Sequence, residues 1–403
     1  MIRSVGVWLV SGAFFVYAAY LLVCGLYLNL LVVAARRYKP LELEGAPIHA
    51  MVLLVPAHDE ASVIEATLHR LNGLQYPRHL LRTIVIADNC SDDTAERASS
   101  AGSEVWVRTD PSQPGKGAAL RWGFGRLGTT APNQAVAVLD ADSVASTTWL
   151  LRADGYLRAG ARAVQSFYGI DDGTPGWRAQ LMTVALLLFH HVRLAGRSVL
   201  GWSAGLKGNG MVLRRDLLDA IPWSGRTITE DLEYASQLAA RDVLVAYDGG
   251  SRVLGLAGGT RAGVRSQRLR WEGGRLRVLR ELGPLLLRRA VLNRSAIAMD
   301  SAMELFVLPL GLLTLLALAL LVVSGGSAMA GLTSAWWPVA GSVGFGLIGA
   351  YVLGGMWVGR APARLYGAVA FAPAYLLWKV LVYIWLALGL ERNRWVRTER
   401  KVR

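Results

Sequence analysis

Two patterns of hydrophobic and polar positions divide the chain. Residues 5–35 carry no charge and are followed at once by Arg36, Arg37 and Lys39. At about 1.5 Å per residue, such a run exceeds the roughly 30 Å hydrocarbon core of a bilayer. Its length, and the lack of a small-residue cleavage site, predict an anchor helix whose C-terminal end lies in the cytoplasm. Residues 305–359 form a second uncharged tract, long enough for two passes. A Gly/Ser-rich hairpin is expected at 324–334, with Trp336 and Trp337 at an interface. Gly341, Gly344, Gly346 and Gly349 are expected to let helices approach closely. Residues 365–390 are also long enough to span, but contain Pro373 and Lys379. One more crossing would leave the basic tail outside, so a re-entrant or interfacial path is expected there.

Between these tracts the pattern changes. Short apolar runs at 51–55, 83–87, 105–107 and 136–139 alternate with helix-like stretches at 61–71, 94–101 and 117–127. Strands alternating with helices predict an α/β domain with a largely parallel, Rossmann-like sheet. Ligands of such sheets sit at the carboxyl ends of the strands. The polar clusters 56–60, 88–93 and 140–142 fall at those ends.

Charge sharpens the picture. Residues 261–294 hold ten Arg against two Glu, and 391–403 hold six basic residues against two acidic. These stretches account for most of the formal +14, and both adjoin apolar runs. That distribution marks a cytoplasmic membrane interface and argues against a nucleic-acid module. Two cysteines, Cys24 and Cys90, are too few for a disulfide scaffold. The expected organisation is an anchor at 1–39, an α/β domain at 40–272 and a basic amphipathic interface helix at 273–299. An apolar region of two to three spans (300–390) and a basic cytoplasmic tail (391–403) complete it.

Three segments carry candidate chemistry. Asp140-Ala141-Asp142 closes the fourth apolar run, where paired carboxylates suit a hard divalent cation; a solvated turn would look the same. Thr229-Glu230-Asp231 opens a helix, which offers Glu230 and Asp231 as catalytic acids with Asp231 as general base. Thr227 and Glu230 also have the spacing of a structural capping box. Gln267-Arg268-Leu269-Arg270-Trp271 combines a guanidinium able to grip a diphosphate with a flat aromatic face, and equally fits an amphipathic surface helix. Gly115-Lys116-Gly117 lacks the spacing of a nucleotide-triphosphatase loop. His190 and His191 read as packing or interface residues within an apolar stretch.

The ordered set VPAHDE (55–60), ADNCSDDT (87–94), GKGAAL (115–120), DAD (140–142), KGNG (207–210), TED (229–231) and QRLRW (267–271) resembles the membrane-bound glycosyltransferase family 2 enzymes. These include cellulose, hyaluronan and poly-N-acetylglucosamine synthases and ceramide glucosyltransferase. The tail's Trp395 and Thr398 are similar to a cytosolic ending of several members. The resemblance implies a GT-A domain, cytoplasmic and inserted between transmembrane segments of the cell membrane. It implies that Pro56, Ala57, Glu60, Asp88 and Lys116 surround the nucleotide. Asp140 would contact the nucleotide, and Asp142 with Asp140 would coordinate Mg2+ or Mn2+. Gln267, Arg270 and Trp271 would hold the diphosphate and acceptor. His58-Asp59 and Ala87-Asp88 depart from the family's usual residues, which bears on the base-binding carboxylate.

The activity implied is inverting transfer from a nucleotide-diphosphate sugar, a UDP-sugar being the usual donor, to a growing polysaccharide. Single transfer to a membrane lipid is the alternative, and a non-catalytic transporter subunit or scaffold is the rival class. Residues 177–202, which mix aromatic, His and Arg residues with apolar ones, are expected to build the acceptor side near the membrane.

Overall fold

The computed structural model describes residues 2–128, 133–170, 176–255 and 261–387, with side chains from residue 10 onward except at 261–272, 379 and 381–387. The basic tail with Trp395 and Thr398 lies outside the described residues. The chain divides into two compact units. One is built from Lys39–Thr174 and Leu200–Leu305, the other from Met1–Tyr38, Pro175–Val199 and Phe306–Arg392.

The first unit is an eight-stranded sheet: β1 (Ala50–Ala57), β2 (Leu81–Asp88), β3 (Glu104–Arg108), β4 (Gln134–Val138), β5 (Ser143–Ala145), β6 (Ala163–Ile170), β7 (Met211–Arg214) and β8 (Val245–Gly255). Their order is β3-β2-β1-β4-β7-β6-β8-β5. The four expected strands β1 to β4 pair in parallel. Beyond β4 the expectation of a largely parallel sheet holds only for β6 with β8, because β7 runs antiparallel to both β4 and β6 and β5 runs antiparallel to β8. The sheet is mixed.

The continuous apolar run of β1 has a simple cause. Met51, Leu53 and Val55 enter a core with Ile64, Leu68, Trp149 and Leu150 on one face. Val52 and Leu54 enter another with Leu120, Phe124, Tyr234 and Leu238 on the opposite face. A strand covered by helices on both sides has no polar face to show.

The start of β1 is fixed by a buried carboxylate. Asp154 is fully buried. It accepts hydrogen bonds from the amides of Ile48 (3.1 Å) and His49 (3.0 Å) and from Arg158 Nε (2.7 Å), with His49 Nδ1 at 2.8 Å. Burial alone would raise its pKa, but these bonds outweigh it and hold the carboxyl at about 2. Because the folded value is depressed from 3.8, the stabilisation is present above about pH 4 and fades as pH falls towards 2. Asp154→Asn should therefore destabilise the unit by roughly 2 kcal/mol at pH 7. The deficit in denaturation midpoint should shrink markedly by pH 3; an equal deficit at both pH values would contradict this account.

Among the described residues of the second unit, four helices are long and apolar enough to cross a membrane: Val10–Ala35, Trp177–Val199, Leu310–Met329 and Trp336–Val358. Trp177–Val199 was not anticipated as one of them, because Arg178, His190, His191, Arg193 and Arg197 dilute its apolar signal. Helix Leu310–Met329 runs through Gly325 and Gly326, so the connection to the next helix is shorter than the expected 324–334 hairpin. Small residues do allow close approach, though not all of those expected. A Cβ on Gly341 would stand 2.8 Å from the Leu321 backbone, and one on Gly196 2.3 Å from the Leu31 carbonyl oxygen. Gly346 and Gly349 face open space. The 365–390 stretch is broken into helices Ala363–Val369 and Ala372–Ala387.

Candidate active site

β4 delivers Asp140 just past its carboxyl end, beside the ends of the parallel neighbours β1 and β2. Lys116 opens the helix Lys116–Arg126, entered through Gly115 at φ 106°. Its Nζ donates to Asp140 Oδ1 and, at 2.6 Å, to the Gly208 carbonyl. Gly208 has φ 75°, and a Cβ there would stand 3.3 Å from Asp231 Oδ2. A Cβ on Gly117 would lie 3.2 Å from that of Glu230. Segments from positions 115, 140, 208 and 230 thus meet around one ammonium group.

The electrostatics follow from that meeting. Burial alone would lower the Lys116 pKa, but the carboxylates of Asp140, Glu230 and Asp231 overcome it and hold the ammonium above its ordinary value. Burial, then repulsion from Asp231, push Glu230 up to about 7, while Lys116 pulls the other way. Burial likewise raises the Asp231 carboxyl. The Leu232 amide, which donates to Asp231 Oδ1 at 2.8 Å, and the Lys207 and Lys116 charges oppose that rise. Two adjacent acids with raised values beside cations are what proton transfer near neutral pH requires.

The capping box expected from Thr227 and Glu230 does not form. Thr229 is the N-cap of helix Glu230–Ala239 and makes no side-chain cap bond. Glu233 reaches back instead, accepting from the Thr227 amide (3.1 Å) and from Ser224 Oγ (2.5 Å). Glu230 is thereby left facing Gly117.

Pro56 and Ala57 end β1, and Asp88 ends β2. The Glu60 amide donates to Thr94 Oγ1 at 2.9 Å, fixing the loop that follows β1. Asp88 is buried: Arg108 and Asn89 Nδ2 (3.1 Å) donate to its Oδ1, and the Gly115 amide lies 3.4 Å from Oδ2. In this structure Asp88 braces the loop that carries Lys116. Gln267, Arg270 and Trp271 lie on helix Arg261–Leu292, and their side chains are outside the described ones. Three residues after Trp271 the same helix packs Gly274 against Thr229, next to Glu230.

The 207–210 segment was legible as part of the ordered set, but sequence reasoning gave it no role. Asn209 Oδ1 accepts from the Asp140 amide (3.1 Å), and its Nδ2 donates to Ser143 Oγ (2.8 Å). Lys207 Nζ lies 3.4 Å from Glu304 Oε1, both side chains being buried. The segment therefore connects the Asp140 and Asp231 sides of the site.

Asp140 and Asp142 are half-buried oxygen donors two residues apart. Hard carboxylate oxygens of this kind suit Mg2+ or Mn2+.

A family model described as glycosyltransferase like family 2 matches residues 49–274. The β-monoglucosyldiacylglycerol synthase of Trichormus variabilis is 28% identical over 225 residues, covering 54% of this chain and 46% of that protein. Its counterpart in Nostoc sp. is 27% identical over 225 residues, with the same coverage. The chain thus spans somewhat under half the length of these curated relatives. Among solved structures, the mannosyltransferase PcManGT from Pyrobaculum calidifontis, in complex with GDP-Man and Mn2+, superimposes with a TM-score of 0.54. It is 16% identical, and the match covers 91% of this chain and 99% of that one. The likeness is one of fold.

Proposed function

Because the chain belongs to the glycosyltransferase-like family 2, we propose that it transfers one sugar, with inversion, from a nucleoside-diphosphate donor to a hydroxyl of a membrane lipid. The observation that carries the reading is Lys116, which ties Asp140 at the end of β4 to the Gly208 carbonyl beside Asp231. A donor diphosphate and an attacking hydroxyl need these groups within one small volume.

In this reading Asp231 takes the proton of the acceptor hydroxyl as it attacks. Glu230, buried behind it, holds or shares that proton. Lys116 offers positive charge to the departing diphosphate, and Arg270 and Gln267 grip it from the helix, with Trp271 stacking on the acceptor. Pro56, Ala57, Glu60 and Asp88 shape the nucleotide end. Asp142 with Asp140 would hold Mg2+ or Mn2+, which when bound neutralises charge on the diphosphate. A UDP-sugar is the proposed donor.

The lipid acceptor takes precedence over a growing polysaccharide for two reasons. Two of the matching curated relatives are named as β-monoglucosyldiacylglycerol synthases, and among the described residues four helices are apolar enough to anchor the chain where lipids lie. Arg36, Arg37 and Lys39 then keep the catalytic unit on the cytoplasmic side. Helix Arg261–Leu292 exposes Leu276, Leu287 and Val291 beside Arg277, Arg280 and Arg288, a composition suited to the membrane surface. QRLRW at 267–271 favours the polymer as the second reading. Membranes containing the chain, supplied with radiolabelled UDP-sugars in turn, should yield a single labelled species extractable into organic solvent. A ladder or large aqueous polymer would overturn the lipid assignment.

A further inference from the structure

We propose that Gln165 is a positioning residue for the transfer step, acting through the 207–210 loop; this rests on the reading of Asp231 as the base. Gln165 lies on β6, outside every motif that carries chemistry, and is fully buried. Its Oε1 accepts from the Lys207 amide at 2.8 Å, and its Nε2 donates to the carbonyls of Asn209 and Ser166, each at 2.8 Å. This orientation is the only one that works. Turning the amide over would set its NH2 against the Lys207 N–H and its oxygen against two carbonyls.

One planar group therefore grips the loop on both sides of Gly208. The β6–β7 ladder ends at the pair Gln165 and Met211, so residues 207–209 lie beyond regular strand pairing. There the side chain of Gln165 does what a strand neighbour would. Gly208, held between the two gripped residues, presents its carbonyl to Lys116 Nζ and its α-carbon to Asp231. Asn209, held by the same grip, aims Oδ1 at the Asp140 amide. The loop is the shared support of Asp140, Lys116 and Asp231, and Gln165 sets where it stands. A shift of about 1 Å in reacting geometry costs on the order of 100-fold in rate.

The test uses the full-length chain with Gln165→Met, which removes all three bonds at similar volume, and Gln165→Glu, which keeps the acceptor and loses the donor. Asp231→Asn is measured alongside. In both Gln165 variants kcat should fall roughly 10- to 100-fold, while donor KM stays within about threefold of wild type and nucleoside diphosphate still binds at full stoichiometry. A merely structural role would instead lower kcat and binding stoichiometry in proportion, and that result overturns the proposal. So does a folded variant, either one, whose kcat stays within about threefold of wild type. If Asp231→Asn remains active while the Gln165 variants fail, the base assignment falls and the positioning role stands. If Asp231→Asn is dead and the Gln165 variants turn over normally, the positioning role alone is lost.

Discussion

Replacing Asp231 by Asn should lower kcat by roughly 1,000-fold or more while nucleoside diphosphate binding stays within about threefold. Asn has nearly the same shape, so helix Glu230–Ala239 and the contact with Gly208 should survive. What disappears is the proton acceptor. The substitution carries a second, opposite signature. Burial raises both Glu230 and Asp231 above the usual carboxylate range, and repulsion from Asp231 adds to it at Glu230. For an acid whose folded value is raised, the ionised form is the disfavoured one, so the folded state loses stability as pH rises through that range. Asp231→Asn should therefore melt higher than wild type at pH 8 although it is inactive. Wild-type activity should fall on the acid side near neutrality, because the pair takes up a proton close to the value of about 7 reached by Glu230. A loss of nucleotide binding together with activity would assign Asp231 a different role.

The second large effect concerns the carboxylates after β4. Asp142→Ala should reduce turnover by roughly 100- to 1,000-fold. EDTA should do the same to the wild-type chain, and added Mn2+ or Mg2+ should restore the wild type but not the variant. The reasoning is electrostatic. Asp140 and Asp142 are half-buried carboxylates, and a donor diphosphate would add more negative charge to that place, which a divalent cation would offset. Full activity of the chain in EDTA would remove Asp142 and Asp140 from this role.

How much of this was legible beforehand depended on which physical signal each part leaves. β1, β2 and β4 stood out because strands covered on both faces are continuous apolar runs, and the polar clusters that follow them mark the carboxyl edge. The mixed half beyond β4 left no such trace. β6 and β8 bury Gln165, Ser166, Asp248 and Ser251, whose polar side chains interrupt the pattern although their surfaces are covered. Helix Trp177–Val199 was not read as a candidate span for the same reason, since buried His190, Arg193 and Arg197 dilute its apolar pattern. Within the site, the residue types were readable and their partners were not. Spacing made Thr227 and Glu230 look like a capping box, whereas the contact formed is with Glu233, a choice that only the packing around Gly117 decides. Nothing local marks Gln165, because its role depends on a loop some forty residues later in the chain.

The most direct measurement is the location of Mn2+ by its anomalous scattering in crystals of the chain grown with Mn2+ and a nucleoside diphosphate. The account predicts a peak against Asp142, with the diphosphate lying between it and the Lys116–Gly208–Asp231 cluster. Nucleotide bound away from Asp231, or Mn2+ held by other residues, would contradict it.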